Sequence, residues 1–541
     1  MIPTTGHSAE SAEAARSTPT RPDPAGGIRG ALASLFPVAP ARAVPLTWGW
    51  RVLIAIVQVA AVLLGAAVLL LRVPGVPAWD TVYAEDYFVY LIGALQHPWR
   101  IYAQFDGYEQ LLQRVVGQGV TYLPLADVAK AFAVCGALVA AGCALFIFHA
   151  SAGYIRSVPL RVVLAAAVIL LPSAPMEIAD STVNTLWYML LAAFWAMVWR
   201  PRTRAGMAVA AAVAFIAAAS TTIVVLFAPL LAIRVYVLRN LRDHAVTAGW
   251  LAGCLIQVPF VVLTTVRHQN RLTGARGPNF GRDNRLGNSI TFYLHDVVLR
   301  SIGWHLSWRL ESLTTRDRAT LIVGVALVVV LGVIMATLPG TRPFIVLALL
   351  TGFIFSIVSV YLNPWDLHWP VTLQNEVAAR YTALPILLFW ASLIIAVDQV
   401  LRRRRDTRAR HGTGQRHAVM ALRPTLAVTA LVAVLAVSWV ADFRYKGIRS
   451  SPAARQWSVV VATWQRECKV SRTGIISASV PASAGGHQPI PCDRLRFLCT
   501  ELVPHVACAV RWLIFASRVC NEMVTVFAAG KPSRPCGPYL R

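Results

Sequence analysis

Acidic residues follow the first long apolar run of the chain. Asp80, Glu85, Asp86 and Asp106 lie in the polar stretch beyond it. A carboxylate held between a membrane and water has its charged form disfavoured by burial, and it can then act as a general base on a sugar hydroxyl. Glu85 and Asp86 are adjacent and diverge on a helix, so we expect only one of them to face a site. The alternative is that they stabilise the first turn of a surface helix.

The apolar runs indicate the membrane as the setting for this chemistry. Residues 52–71 carry no charge and are long enough to cross a hydrocarbon core of about 30 Å as a helix. Segments of similar character recur at 131–148, 162–171, 186–199, 207–220, 222–237, 246–266, 319–338, 344–362, 384–401 and 425–440. The sequence therefore predicts an all-α integral membrane protein with about 11 transmembrane helices.

The positive charge of the chain predicts its orientation. A net charge of +25 in a soluble protein would indicate nucleic-acid binding. Here the arginines gather in alternate short loops, at 156–161, 200–204, 234–242, 342 and 402–410. The positive-inside rule makes these loops cytoplasmic, so the N-terminus lies inside and the C-terminus outside. The charge thus predicts a multi-pass protein of the cell membrane with no nucleic-acid partner.

Three regions are expected along the chain. Residues 1–48, rich in Ala, Pro, Ser, Thr and Arg, predict a disordered cytoplasmic tail. Residues 49–443 form the polytopic domain, and 444–541 form a small exterior region. That region holds most of the cysteines, and disulfides persist outside the cell. A bridge between Cys468 and Cys492 is the pairing we expect, stabilising by about 3 kcal/mol. A zinc site is less expected, because no CxxC pair is present.

The exterior loops predict helices that lie on the membrane surface. In the first loop, Phe88, Leu91, Ile92 and Leu95 have the spacing of one helix face, so an amphipathic interfacial helix is predicted there. The second long loop begins with a polar, Gly-rich stretch and ends in an apolar and aromatic one. Its histidines lack metal-ligand spacing, so no metal site is predicted, and the sequence is silent on metal dependence.

Short motifs resemble those of bacterial glycosyltransferases of GT-C type. These are "AED" opening the first exterior helix, "DGYEQLLQR", "PMEIADSTVNTLWY", and "NEVAARYTALPILLF" entering a late span. High Ala, Val and Arg with few Lys is typical of an actinobacterial source. The matching positions are Glu85 and Asp86 for catalysis, with Asp106, Gly107, Tyr108, Arg114, Glu177, Asn184, Trp187, Tyr188, Arg380 and Tyr381 beside the substrate.

The resemblance implies a function. Such enzymes take a sugar from a polyprenyl-phosphate donor at the exterior face and transfer it to a glycan or protein acceptor of the cell envelope, with an acid of the first loop as base. It implies no cofactor. Arg380 would bind the lipid phosphate through its planar guanidinium; the alternative is an arginine that extends to the interface. This chain has Tyr87 where the family commonly has Gly, and it lacks an Asn expected near Ser181.

Two other classes of protein stay open at this point. A transporter or lipid flippase needs ionisable residues near mid-membrane, where the spans hold few acids beyond Asp398. A non-catalytic membrane protein of envelope assembly is compatible with the departures at positions 87 and 181. The convergence of Glu85, Asp86, Glu177 and Arg380 at one place would favour the enzyme.

Overall fold

Helices dominate the computed structural model of the chain. It describes residues 27–39, 47–82, 85–103, 105, 107–174, 178–179, 181–266, 285–303, 305, 307, 309, 316–338, 340–362, 379–411, 429, 432–444, 455–478 and 488–492. The helices are α1 Gly27–Ala33, α2 Trp48–Arg72, α3 Ile92–Gln96, α4 Leu111–Val120, α5 Val128–Ala150, α6 Val158–Ile169, α7 Thr185–Val198, α8 Arg204–Ser220, α9 Ala228–Val237, α10 Ala245–Val266, α11 Arg285–Thr291, α12 Arg316–Thr337, α13 Arg342–Leu362, α14 Ala379–His411, α15 Val432–Ala441 and α16 Trp457–Val470. Two π-helices, Asp86–Leu91 and Phe292–Leu299, adjoin α3 and α11.

Apolar helices give the chain the character of an all-α membrane protein. Among the described residues, five helices are long and apolar enough to cross a membrane, and six apolar helices are shorter. All of them overlap the apolar segments that the sequence predicts. The total of about 11 crossings and the side of each terminus stay predictions.

Helix α7 lies at the centre of the bundle. Each of its residues, from Thr185 to Val198, is buried, and it packs against α5, α8 and α14. An uninterrupted apolar sequence without a polar face permits this, because a helix that is hydrophobic all round has to be covered on all sides. The helix ends at Trp199, whose backbone is extended, two residues before Pro201.

Two buried arginines bind the carboxyl ends of the short helices α6 and α7. Arg72, at the end of α2, donates to the carbonyls of Ile169 (2.6 Å) and Leu171 (2.9 Å). Arg234, in α9, donates to the carbonyl of Trp199 (2.9 Å). The last carbonyls of a helix have no partner within it, and cations there also interact favourably with the helix dipole. These contacts allow both helices to end inside the protein.

An acid binds the amino end of α6. Asp398 of α14 accepts hydrogen bonds from the backbone N–H groups of Arg156 (3.1 Å) and Ser157 (3.0 Å), which precede the helix. Arg402, one turn later in α14, pairs with the same carboxylate. Asp398, predicted near a cytoplasmic helix end, therefore joins α14 to α6.

The first-loop helix is buried rather than laid on the membrane surface, which corrects the prediction. Its backbone forms the π-helix and then α3, and Tyr87, Leu91 and Ile92 are covered by protein. Helix α4 packs on one side of it, and the C-terminal helix α16 contributes to the same apolar cluster. The apolar face that predicts contact with lipid is used for contact with these two helices.

Part of the predicted disordered tail is ordered. Within residues 1–48, the structure gives α1, followed by Leu35 and Phe36, which are both buried. Tyr154 Oη donates to the Leu35 carbonyl, and the Arg234 guanidinium lies over the Phe36 ring at 5.7 Å. Two large apolar side chains in a short segment are enough to attach it to the bundle.

The C-terminal region packs on the first loop. After α16, strands β1 Ile475–Ala478 and β2 Gln488–Pro491 pair antiparallel, and Cys468 is joined to Cys492 by a disulfide. Trp457 Nε1 donates to the Leu125 carbonyl (2.7 Å), and the Ser458 N–H donates to Asp80 (3.0 Å). The described part of 444–541 thus lies on the same side of the bundle as the first loop.

Candidate active site

Asp86 anchors the turn that leads into the central helix. Its side chain is buried, and one oxygen accepts hydrogen bonds from the Thr182 N–H (3.0 Å) and the Ser181 hydroxyl (3.3 Å). The other oxygen accepts from the Val183 N–H (2.8 Å). A carboxylate at this position satisfies N–H groups before α7 and complements the positive end of the helix dipole. Glu85, its neighbour, is half-buried.

A polar cluster lies next to this turn, and we call it the first-loop polar cluster. It consists of Tyr90, Tyr108, Glu109, Gln110 and Arg114. Tyr90 Oη donates to Gln110 Oε1, and Gln110 Nε2 donates to Tyr108 Oη (2.9 Å). Burial raises the pKa of Tyr90 well above its ordinary value, so its hydroxyl stays a donor. The cluster connects the π-helix to the segment before α4.

Gly107 makes the tight turn that presents Tyr108. Phe105 and Tyr108 exchange backbone hydrogen bonds (3.0 and 3.2 Å), and Gly107 between them has φ of 89°. A residue with a Cβ is strained in that conformation. The sequence element "DGY" is therefore required by the turn itself, whatever its chemistry.

Glu109 and Arg114 form the charged part of the first-loop polar cluster. Their side chains approach to 3.6 Å, with Glu109 wholly buried. Burial raises the pKa of Glu109 from 4.5 to about 8, although Arg114 and backbone hydrogen bonds act in the opposite direction. Desolvation likewise lowers the pKa of Arg114. Gln257 of α10 holds the Glu109 backbone by accepting from its N–H (2.9 Å) and donating to its carbonyl (3.0 Å).

Helix α4 reaches the start of the central helix directly. Gln113 Nε2 donates to Thr185 Oγ1 (3.4 Å), and Thr185 Oγ1 donates to the Thr182 carbonyl (2.6 Å). The same turn that Asp86 binds is thus bonded from α4. The first loop contacts α7 through two separate side chains.

Aromatic contacts extend the arrangement to α14. Trp187 Nε1 donates to Asn184 Oδ1 (3.1 Å), and the Trp187 ring meets Tyr381 edge to face at 5.4 Å between centroids. The guanidinium of Arg380 lies 5.1 Å from the Tyr381 ring centre. Contacts therefore connect Asp86, through residues 181–187, to the start of α14.

The structure brings together most of the predicted site residues. Those connected around the start of α7 are Asp86, Tyr108, Arg114, Asn184, Trp187, Arg380 and Tyr381. Glu85 adjoins them in the chain. Asp106 and Glu177 lie outside the described residues. No group of three or more His, Cys, Asp or Glu side chains suited to a metal ion occurs in the described ranges.

Sequence reasoning missed several buried polar residues of this region. Glu109, Gln110 and Gln113 have ordinary loop compositions around them, and nothing local marks them as buried. Gln257 carries a detectable signal, because it is a polar residue inside the apolar run 246–266. The sequence also predicts surface hydrogen bonding for His295, which instead lies buried beside Asp296 (3.2 Å).

Comparison with known proteins adds no relative. The chain matches no protein-family model, no curated protein and no solved structure.

Proposed function

We propose that the chain is a membrane glycosyltransferase of GT-C type, which moves a sugar from a polyprenyl-phosphate donor to an envelope glycan or protein at the exterior face. The observation that carries this proposal is the meeting of residues from all four sequence motifs around the start of α7. Those residues are scattered over roughly three hundred positions of the chain, and such a reaction needs acids and cations at one place.

The two adjacent acids have different roles in this proposal. The oxygens of Asp86 already accept three hydrogen bonds from the 181–183 turn, so this residue positions the turn. Glu85 is the group that takes the proton of the acceptor hydroxyl. Assigning the base to Glu85 rather than Asp86 rests on the hydrogen bonds of Asp86, which the sequence does not reveal.

Cations are available for the departing lipid phosphate. Arg380 carries a delocalised charge over the Tyr381 ring, and its planar guanidinium suits two phosphate oxygens at once. Arg114 supplies a second charge within the first-loop polar cluster. In this proposal Arg380 binds the polyprenyl phosphate, and Asn184 and Trp187 shape the neighbouring wall.

The departure at position 87 has a packing explanation. Tyr87 is buried, and its ring lies 5.7 Å from that of Trp464 in α16. The residue that replaces the Gly of the resembled family therefore attaches the C-terminal region to the first loop. It adjoins Asp86 without taking over its hydrogen bonds.

The contacts at helix ends support the topology that the sequence predicts, with about 11 spans, the N-terminus cytoplasmic and the C-terminus exterior. At one level Asp398 binds the start of α6, and Tyr154 binds Leu35 of the tail. At the other level Arg72 binds the end of α6, and Asp86 binds the turn before α7. Each terminal region contacts one level only.

The test compares Glu85→Gln with Glu467→Gln, an exposed acid on α16 that is changed in the same way. Purified membranes receive a labelled sugar on a polyprenyl-phosphate donor, and transfer is normalised to protein abundance. We expect Glu85→Gln to lower transfer by roughly two to four orders of magnitude without lowering abundance, because a positioned base contributes that much. Glu467→Gln should transfer at the wild-type rate.

Asp86→Asn separates positioning from base catalysis. Its amide would place N–H donors against the N–H groups of the 181–183 turn, so we expect a loss of stability of about 1–3 kcal/mol together with the loss of transfer. Wild-type transfer by Glu85→Gln in a preparation that is active would reject Glu85 as the base. Wild-type transfer by both variants would favour a non-catalytic envelope-assembly protein, or a transporter or lipid flippase.

A further inference from the structure

A second polar cavity lies at the opposite end of the helix bundle from the candidate active site. It has a volume of about 720 Å³ and is bounded by the α7–α8 and α9–α10 loops. Its charged lining residues are Arg200, Arg202, Arg204, Arg242 and Asp243, and we call it the arginine cavity. It belongs to the side that the sequence predicts to be cytoplasmic.

The arginine cavity has an excess of positive charge. Its one lining carboxylate, Asp243, is buried and pairs with Arg200 at 3.1 Å. Arg202, Arg204 and Arg242 are exposed, and none of them pairs with a carboxylate within the described ranges. Three guanidinium groups therefore converge on one concave surface, with planar donors that match phosphate oxygens.

Two helical segments begin at the same cavity and add to its potential. Thr203 accepts from the Gly206 N–H (3.0 Å) at the start of α8, a helix of 17 residues. Asn240 accepts from the Arg242 N–H (3.1 Å) at the start of the turn that leads into α10. The positive ends of helix dipoles favour anions, and here they reinforce the arginine side chains.

Apolar residues at the cavity indicate an amphipathic ligand. Met207 and Ala208, in the first turns of α8, line it together with Val38. Near it, Leu241 is 87% exposed and Tyr236 is 60% exposed, as suits residues that contact lipid. The cavity therefore adjoins both polar surface and membrane-facing surface, the level at which phospholipid headgroups lie.

We propose that the arginine cavity binds the phosphate of an anionic glycerophospholipid from the adjacent leaflet. The number of arginines on this side is enough to orient the chain in the membrane, but orientation alone requires no cavity and no convergence of their side chains. The phosphate contacts the guanidinium groups of Arg202, Arg204 and Arg242, while the acyl chains follow the apolar start of α8. The site is independent of the proposed sugar transfer.

The experiment measures retained lipid on the full-length chain. Protein is reconstituted in nanodiscs of phosphatidylglycerol and phosphatidylcholine, released, and analysed by native mass spectrometry. The variant Arg202→Gln/Arg204→Gln is compared with Arg239→Gln/Arg405→Gln, which removes two exposed arginines from the same predicted side but outside the cavity. Each basic residue near an anionic surface contributes enough for the cavity variant to lose affinity for phosphatidylglycerol by roughly 20- to 30-fold. The control variant should retain it.

A second arm distinguishes a lipid from a soluble phosphate. Excess inorganic phosphate should leave phosphatidylglycerol in place, because it lacks the acyl chains that the apolar wall contacts. Displacement by inorganic phosphate at moderate concentration would overturn the lipid as the ligand. Equal lipid loss in the cavity and control variants, or no loss in either, would overturn the site, and unchanged melting temperatures would show that both variants are folded.

Discussion

Asp86 and Glu85 are neighbours in the chain with different surroundings. Asp86 is enclosed by the donors of the 181–183 turn, whereas Glu85 is half-buried at the edge of the π-helix. Adjacent carboxylates can therefore have separate tasks, one in holding the backbone and one in chemistry. Glu109 represents a third situation, a buried acid whose nearest cation lies at 3.6 Å.

Glu109 should make the stability of the protein depend on pH. Its pKa is raised from 4.5 to about 8 in the folded chain, so between these values the folded state binds more protons than the unfolded state. The free energy of unfolding contributed by this group should thus fall as the pH rises from about 5 to 8. Glu109→Gln should reduce that slope, as measured by thermal unfolding in nanodiscs at several pH values.

Glu467→Gln is the control for this measurement, since it removes an exposed acid of the same type. It should keep the pH slope of the wild type. If Glu109→Gln and the wild type have the same slope, Glu109 is ionised throughout and Arg114 outweighs its burial.

Residue types were predictable from the sequence to different extents. The prediction that Asp86 caps a helix end is close to its observed contacts, but the helix is α7, ninety-five positions and more away along the chain. Pairings at such separation leave no local pattern. Burial of Glu109 and Gln113 is likewise set by the packing of α4 against the π-helix, which no spacing in either segment specifies.

Element boundaries follow the apolar runs, because the cost of unpaired backbone groups in lipid forces those runs to be helical. What the runs do not specify is which helix is central. Helix α7 is no more apolar in sequence than its neighbours, and only the assembled bundle makes it the buried one. The π-helices also escape prediction, since one extra residue per turn leaves the composition unchanged.

The close approach of α4 to the π-helix gives a prediction at this scale. A Cβ added at Gly117 would lie 2.6 Å from Tyr90 Cβ and 3.0 Å from its carbonyl oxygen. Gly117→Ala should therefore separate the two elements and destabilise the protein by about 1–3 kcal/mol. Thermal unfolding measures the change.

Gly142→Ala provides the matched substitution, because a Cβ there meets nothing within 4 Å. Alanine within a helix is favoured over glycine, so this variant should be neutral or stabilised by about 0.5–1 kcal/mol. Equal melting temperatures for the two variants would show that α4 and the π-helix are not in contact at Gly117.

At the scale of the whole molecule, the C-terminal region and the first loop lie together. Asp80 bonds Ser458, and the disulfide between Cys468 and Cys492 lies in the same apolar cluster as Tyr87. A disulfide persists where the medium is oxidising, so this side is expected to face outward. The tail helix α1, by contrast, contacts α9 at the other level.

This arrangement predicts the accessibility of single cysteines in intact cells. Gln456→Cys should react with a membrane-impermeant thiol reagent, and Arg405→Cys should react only after permeabilisation. Both positions are exposed, so neither depends on unfolding. The wild-type chain gives the background from native cysteines. Labelling of both variants from the outside would show that an odd number of spans between the first loop and the C-terminal region is wrong.

The shortness of α7 has a consequence for depth. Its 14 residues rise about 21 Å, against about 30 Å for the hydrocarbon core. Because its carboxyl end adjoins Arg200, its amino end, with Asp86 and the first-loop polar cluster, lies below the far surface of the bilayer. A group carried on a membrane lipid would meet this site without leaving the bilayer. A water-borne partner would have to descend to it, so an aqueous passage through the first loop would determine which acceptors can react.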